Sequence, residues 1–285
     1  MITYVILHYL TNDDTSKCVK SIQQCNQNQD FNIVIVDNAS HNESFLSIKE
    51  EFSNLSNVYF IENDYNMGFA QGNNIGYDYA KNILKASFIV ILNNDIIVKD
   101  REIYKKIKES YKKYNYHIMG PDIISLIDKG HQNPLSNVTS SKKEIYSNIT
   151  RYTFLLLLNY IYIEELIIKL KKKLFFSKQE KLKVENFNEI KENIPLHGSF
   201  LIFSPSFIIK NNEAFDGRTF LFLEEDILFY KAKINNYKTL YYPEICVLHK
   251  EDSSTDFLTK SKLKKRRFIY KNLIKSSLVL KGILK

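Results

Sequence analysis

At 285 residues, 44% hydrophobic and 25% charged, the chain has a globular composition and length enough for a sizeable core, which excludes a disordered or fibrous polypeptide. Eight Gly and five Pro are too few for an all-β fold rich in tight turns. The net charge of +8 and pI near 9.0 suit an anionic ligand, an anionic membrane surface or nucleic acid, without choosing among them.

Thr3 to Tyr9 reads as a first buried strand, after which Asn12 to Thr15 offer capping side chains to a helix through Cys18, Val19 and Ile22. Ile33 to Val36 is a second continuous apolar strand, ended by Asp37, Asn38, Ala39 and Ser40. A helix through Phe45, Ile48 and Phe52 follows, then a strand at Val58 to Ile61, then a helix within Gly68 to Lys85 carrying Ile75, Tyr79 and Ile83. Phe88 to Leu92 is an unbroken, β-branched-rich apolar run, the mark of a strand covered on both faces. This β-α-β-α-β alternation predicts an open, mostly parallel sheet between helices.

The apolar run stops at Asn93, Asn94 and Asp95 and resumes at Ile96. Three polar side chains there would be costly in a core and suit a crevice at the carboxyl end of a strand, where a carboxylate flanked by amides can hold a divalent cation with a phosphorylated ligand; an Asx turn is the simpler alternative. Asp37 ends another strand in the same way. Between them lies NMGFAQGNNIG, Asn66 to Gly76, whose glycines permit close backbone approach and whose amides can read a base, ribose or phosphate. Neither a dinucleotide fingerprint nor a P-loop is present.

Ile103 to Tyr114 reads as a lysine-rich, solvent-facing helix and Gly120-Pro121 as a break. Residues 136–193 read as a less orderly helical insertion, with a helix around Leu155 to Phe176. Sheet-like sequence resumes at HGSFLIFS, His197 to Ser204, where Gly198 leads into a strand. Phe220 to Leu223 then run into Glu224, Glu225 and Asp226 at the start of a helix that ends near Ile234, followed by strands at Lys238 to Tyr242 and Ile245 to Leu248. One acid would serve the helix macrodipole; three side by side repel one another and point to function.

Four blocks together resemble the family-2 glycosyltransferases of the GT-A fold, in particular the rhamnosyltransferase-like branch of bacterial surface polysaccharide synthesis. IVIVDNAS is similar to the family's nucleotide-binding strand end, NMGFAQGNNIG to its N-x-G-F-A-x-G-N-N-x-G block, and LNNDI stands in the place of its metal-binding D-x-D. FDGRTFLFLEEDILFYKAKINNYKTLYYPE aligns without gaps on its F-D-E-x-F-F-x-Y-x-E-D block. Asn93 takes the first place of the D-x-D, leaving Asp95 as its single carboxylate.

The resemblance implies a GT-A domain over 1–255, Rossmann-like with a mostly parallel central sheet, carrying the insertion at about 136–193 and a basic helical tail over 256–285. It implies a nucleotide-sugar donor, UDP- or dTDP-linked, contacted by Asp37, Asn38, Asn66, Gly68, Asn74, Asn94, Asp95 and Gly198. It also implies Mg²⁺ or Mn²⁺ at Asp95, with His249 near the metal or diphosphate, and a single inverting displacement onto a saccharide or lipid-linked acceptor. Glu224 falls on the family's Glu and Glu225 on its catalytic Asp, so Glu225 is the expected base; a one-residue shift would make it Asp226.

A sugar-phosphate nucleotidyltransferase would share the sheet and metal acid but needs a glycine-rich phosphate loop after the first strand, which HYLTNDDTSK lacks. A basic nucleic-acid-binding protein accounts for the charge and not for acids at strand ends, so no nucleic-acid partner is expected. Cys18, Cys25 and Cys246, odd in number and without metal-type spacing, read as reduced thiols in a cytoplasmic protein. The N-terminus lacks the pattern of a signal peptide, and the most apolar stretch, Phe154 to Ile163, is shorter than the roughly 18–20 residues of a spanning helix. Residues 260–285 hold ten Lys and Arg and no acid, with Ile269, Leu273, Leu280 and Leu284 on one side of a helical wheel. That pattern suits either a solvated basic helix or docking on the inner face of an anionic plasma membrane.

Overall fold

The computed structural model describes residues 1–136, 138–139, 141–165, 186–251 and 261–284. The first five elements alternate as expected: β1 (Ile2–His8), α1 (Asn12–Cys25), β2 (Phe31–Asp37), α2 (Ser44–Phe52) and β3 (Val58–Glu62). α3 (Gly68–Asp78) continues into a π-helical turn, Tyr79–Ile83, and leads to β4 (Phe88–Asn93), β5 (Ile96–Val98), α4 (Ile103–Tyr114) and β6 (Ile118–Ser125). Then come α5 (Lys142–Tyr160), β7 (Lys191–Glu192), β8 (Phe200–Phe203) and α6 (Pro205–Lys210). The last elements are α7 (Glu224–Ile234), β9 (Thr239–His249) and α8 (Lys262–Ile283).

Nine described strands form one mixed sheet in the order β3-β2-β1-β4-β8-β6-β9-β5, with β7 on β9. The half that precedes β5 is parallel, and its register decides where the site lies. His8 pairs with Asp37 and Leu7 with Asn93, so the polar residues ending β1, β2 and β4 emerge along one edge. β8 runs antiparallel to β4 with Leu92 opposite Phe200, which brings the chain before β8 to that same edge. β9 arrives there too, since Ile96 pairs with His249. The two short strands expected at 238–242 and 245–248 are one long strand, whose pairing with β6 shifts register between Pro121 and Asp122.

Alternate residues of the central strands fill two layers. Ile2, Tyr4, Ile6, Ile33, Ile35, Val90 and Leu92 pack with Cys18, Val19 and Ile22 of α1 and Phe45 and Ile48 of α2. Val5, Val34, Val36, Ile89 and Ile91 pack on the opposite face with Ala70 and Tyr77 of α3, Phe207 of α6 and Leu228 of α7. At about 1.5–3 kcal/mol for each fully buried Ile, Leu or Val, the two layers are the main source of stability. Gly72 and Gly76 let α3 lie against β1: a Cβ on Gly76 would stand 2.3 Å from Val5 Cγ1 and one on Gly72 2.6 Å from Leu7 Cδ1. These two glycines of the Asn66–Gly76 block serve helix–strand packing.

The helix expected at Leu155 to Phe176 begins much earlier, at Lys142, where the Ser141 hydroxyl accepts from Glu144 N–H at 3.2 Å; residues 166–185 lie outside the described ones. α8 packs antiparallel along α5, as Lys281 lies over the Tyr146 ring and Arg267 over Tyr160. Leu280 of α8 and Ile145 of α5 share a small core with Ile227 of α7. The three cysteines are free thiols, Cys18 and Cys25 buried. Among the described residues no helix is long and apolar enough to cross a membrane.

Candidate active site at the strand ends

Asp37 closes β2 and is buried. Its Oδ2 accepts from Ser40 N–H at 3.0 Å, while Oδ1 has no hydrogen-bond partner among the described residues and stands 4.0 Å from His8 Nε2. Burial raises the Asp37 carboxyl above its ordinary pKa, and burial lowers His8 to about 4, so the imidazole beside it is neutral at physiological pH. A buried carboxylate oxygen left unpaired is expensive, and a ligand N–H or O–H would satisfy it.

Around Asp37 the asparagines bond to the protein itself. Asn38 Oδ1 accepts from Met67 N–H at 2.8 Å, and its Nδ2 donates to Asn66 Oδ1 and to the Gly68 carbonyl. Asn74 Oδ1 accepts from Ala214 and Phe215 N–H, and its Nδ2 donates to the Phe215 carbonyl. Asn94 Nδ2 donates to the hydroxyls of Thr11 and Thr15, at 2.8 and 3.0 Å. These three side chains, expected as nucleotide-sugar contacts, hold loops in place, each sitting where two chain segments meet and bonding to their backbone or hydroxyl groups. Gly68 adopts φ +76°, and a Cβ there would stand 2.3 Å from the Phe220 carbonyl oxygen. Only glycine permits that crossing, which Phe69 N–H seals by donating to the same oxygen at 2.7 Å.

Asp95 follows the end of β4, and its carbonyl accepts from Lys250 N–H at 3.1 Å. His249 Nε2 is 3.2 Å from Asp95 Oδ1, while His249 Nδ1 is 2.7 Å from Gln132 Oε1. Gln132 holds the ring through Nδ1, which fixes it with Nε2 facing that carboxylate oxygen. The residues therefore fit a hard divalent cation of the kind that keeps phosphate and water ligands. Among the described residues no group of three or more His, Cys, Asp or Glu gathers about one point.

The segment 131–133 is a strap behind this pair. His131 Nδ1 meets Asp122 Oδ1 at 2.8 Å, Gln132 holds His249, and Asn133 Oδ1 accepts from His197 N–H at 3.1 Å. Sequence reasoning passed over Gln132 and His197. The H-G-S start of β8 was the available signal for His197, and nothing local marks Gln132. The His197 ring lies 5.9 Å from that of His249. Burial lowers its pKa, against the raising influence of the Glu225, Glu251 and Asp95 charges.

The three consecutive acids part company at the start of α7. Glu225 is half-buried, and its Oε1 accepts from Gly198 N–H at 3.2 Å. Asp226 is buried and accepts from Thr139 N–H at 2.6 Å, tying α7 to the chain before α5. Glu224 is buried, its Oε1 without a hydrogen-bond partner among the described residues, and burial together with the charge of Glu225 raises it to about 8, so it holds its proton at neutral pH. Just before them Phe222 and Leu223 both take left-handed φ, +75° and +65°, a strain of about 1–3 kcal/mol each that contacts around them must hold. Those contacts are the Gly68–Phe220 crossing, an edge-on stack of Phe220 with Phe268 of α8, and Ser276 Oγ donating to the Leu221 carbonyl at 3.0 Å.

The chain is similar to several known proteins. It is 23% identical over 124 residues to the low-salt glycan biosynthesis hexosyltransferase Agl10 of Haloferax volcanii, covering 44% of this chain and 37% of that protein. S. aureus TarS (residues 1–349), in its complex with UDP-GlcNAc, superposes with a TM-score of 0.55 at 13% identity, covering 98% of this chain and 66% of that fragment. GalNAc-T7 with UDP, GalNAc and Mn²⁺ superposes with a TM-score of 0.55 at 14% identity over 88% of this chain and 44% of its own. The chain thus spans less than two thirds of each of these proteins, and the structural likenesses show a shared GT-A fold. The sequence model of glycosyl transferase family 2 matches residues 4–172, which run from β1 past the whole parallel half of the sheet and the turn bearing Asp95, and the chain belongs to that family.

Proposed function

We propose that the protein is a glycosyltransferase that moves a sugar from a UDP- or dTDP-linked donor to a saccharide or lipid-linked saccharide. The further reading, taken from the sequence blocks, is a rhamnosyltransferase-like hexosyl or deoxyhexosyl transfer in bacterial capsule or O-antigen synthesis. One observation carries the activity: Glu225 accepts from Gly198 N–H, and the ring of the adjacent His197 lies 5.9 Å from that of His249, which meets Asp95, at the edge where β1, β2 and β4 end.

In this reading the nucleoside lies over the ends of β1 and β2, where a donor N–H or O–H pairs with Asp37 Oδ1, and Asn66 and Gly68 form the wall of the cleft. The diphosphate lies toward Asp95 and His249. Mg²⁺ or Mn²⁺ held there would supply positive charge against the negative charge that grows on the leaving diphosphate. Glu225, oriented by Gly198 N–H, takes the proton of the acceptor hydroxyl as its oxygen bonds to the anomeric carbon. The bond from that carbon to the diphosphate oxygen breaks with its electron pair leaving on the phosphate, and attack from the opposite face inverts the centre. The protonated Glu224 spares Glu225 a second adjacent negative charge.

A thermal-shift screen of nucleotide sugars, with and without Mn²⁺, tests the reading. A donor at a hundred times its Kd stabilises the native state by about 2.7 kcal/mol and raises the midpoint, and the nucleotide that responds names the donor class. No response to any nucleotide sugar in either condition would overturn the assignment.

A further inference from the structure

The helical hairpin of α5 and α8 has a composition the proposed reaction does not use. Counting residues 142–165 and 261–284, it holds eleven Lys and Arg against three acids, an excess equal to the net charge of the whole chain. Two of those acids are neutralised within it: Arg266 pairs with Glu164 at 3.0 Å and with Glu165 at 3.1 Å.

The outward face of α5 is apolar where it should be polar. Phe154, Leu157 and Ile161, at helical spacing, are 60%, 59% and 59% exposed, and Tyr162 beyond them is 69% exposed. These are large side chains on the side of the hairpin that faces away from the sheet, whereas the inward side of the same helix is buried on Leu280 and Ile227 through Ile145. Lys262, Lys264, Lys271 and Lys275 of α8 are exposed beside them. At the end of the stripe Arg267 lies 4.1 Å above the Tyr160 ring. Apolar residues flanked by tyrosines and lysines form the pattern of a surface that enters a bilayer interface.

We propose that this hairpin is a docking surface for an anionic lipid bilayer, in which Phe154, Leu157 and Ile161 enter the acyl boundary while the α8 lysines rest on the headgroups. The occupant follows from charge complementarity: the basic excess of the chain is gathered next to its apolar stripe, and only an anionic apolar–polar boundary matches both at once. The proposal deepens the lipid-linked acceptor reading, on which its purpose rests. α8 clamps the strained turn before Glu225 through Ser276 and Phe268, so docking would fix the catalytic carboxylate relative to the membrane surface.

The test needs neither donor nor acceptor. The chain has no Trp, so Phe154→Trp installs a single reporter in the stripe of the full chain, and Leu46→Trp, at an exposed position on α2, supplies the control. Vesicles of phosphatidylglycerol should shift the emission of Phe154→Trp to the blue, and bromination of their acyl chains should quench it. Phosphatidylcholine vesicles should do neither, and Leu46→Trp should stay unchanged. In sedimentation with the anionic vesicles, Phe154→Ser/Leu157→Ser/Ile161→Ser should lower the partition roughly tenfold or more. Each of Lys264→Gln and Lys271→Gln should lower it by roughly fivefold at low salt. UDP-induced stabilisation, measured in parallel, should stay at the wild-type level in all of these variants. Loss of UDP binding in the wild type would instead count against the donor reading and leave the vesicle result standing. An emission already blue in buffer and unmoved by vesicles, binding by the triple Ser variant equal to wild type, or a dimer that the triple variant converts to monomer would each overturn the proposal, the last in favour of a second copy.

Discussion

Polar residues at the two ends of the cleft are used in opposite ways. Where β1, β2 and β4 end, the amides of Asn38, Asn74 and Asn94 bond to backbone and hydroxyl groups of neighbouring segments, and Asp37 Oδ1 has no hydrogen-bond partner among the described residues. At the start of α7 the chain accepts two left-handed residues and a buried acid held protonated, with Glu225 only partly buried beside it. The first region is a preorganised cradle whose polar groups are already paired and need not reorganise around a ligand. In the proposed reading, the second stores strain and a displaced proton beside the carboxylate that acts as base. Binding energy and chemistry should therefore respond to mutation separately.

The largest separation is expected at Glu225. Glu225→Gln preserves shape and the bond from Gly198 N–H while removing the proton acceptor, so kcat should fall by about 10²–10⁴ with donor affinity unchanged. Asp226→Asn weakens the tie to Thr139 and should lower the melting temperature while turnover per folded molecule persists. Single-turnover rates on both variants decide the matter. A folded, inactive Asp226→Asn beside an active Glu225→Gln would reverse the roles.

A smaller effect is expected where the two regions meet. Asp95→Ala should abolish the Mn²⁺-dependent part of UDP affinity, and Gln132→Leu, which touches only the far nitrogen of His249, should weaken Mn²⁺ binding by about 10–100-fold. Titrating Mn²⁺ into the UDP complex and following the metal by its electron spin resonance reads both without turnover. Equal Mn²⁺ affinity in wild type and Gln132→Leu would mean that the strap does not orient the imidazole. Smaller again is Asn38→Ala, which strips Met67 N–H and the Gly68 carbonyl of their partner at a cost of about 1–3 kcal/mol. It should raise KM for the donor with kcat little changed; a fall in kcat alone would show the cradle and the chemistry to be coupled.

The cradle was the more legible region because its information is local. A strand of Ile and Val stops at Asp37, another at Asn93, and parallel register carries the ends to one edge. What the asparagines do there was not legible, since their partners lie 28 to 141 residues away: Asn38 with Asn66, Asn74 with Phe215. The fate of Glu224, Glu225 and Asp226 was hidden for the same reason. Three adjacent acids on one helical turn point in three directions, and only the approach of Thr139 and Gly198 separates them. Gln132 carries no motif at all. Likewise α8 reads as a basic tail until Ser276, Ser277 and Leu280 are seen buried against its neighbours.

The finest test of the strained side is the proton on Glu224. Its ordinary pKa of 4.5 is raised to about 8 in the folded protein, first by burial and then by the charge of Glu225. Below pH 4.5 both folded and unfolded states hold the proton and the group is neutral toward stability. Between 4.5 and 8 the unfolded chain releases it while the folded chain retains it, so this residue makes stability fall as pH rises; above 8 the loss is complete and constant. Glu224→Gln removes the titration and keeps a neutral side chain of the same shape. The variant's melting temperature relative to wild type should therefore climb between pH 5 and pH 8, by roughly 2–4 °C for each ~1 kcal/mol of linked stability in a domain of this size. Because burial is the larger cause, the same climb should persist, reduced, when both proteins also carry Glu225→Gln. A difference that stays flat across that range would show that Glu224 ionises as freely in the folded protein as in the unfolded chain, and that Glu225 works beside a charged neighbour.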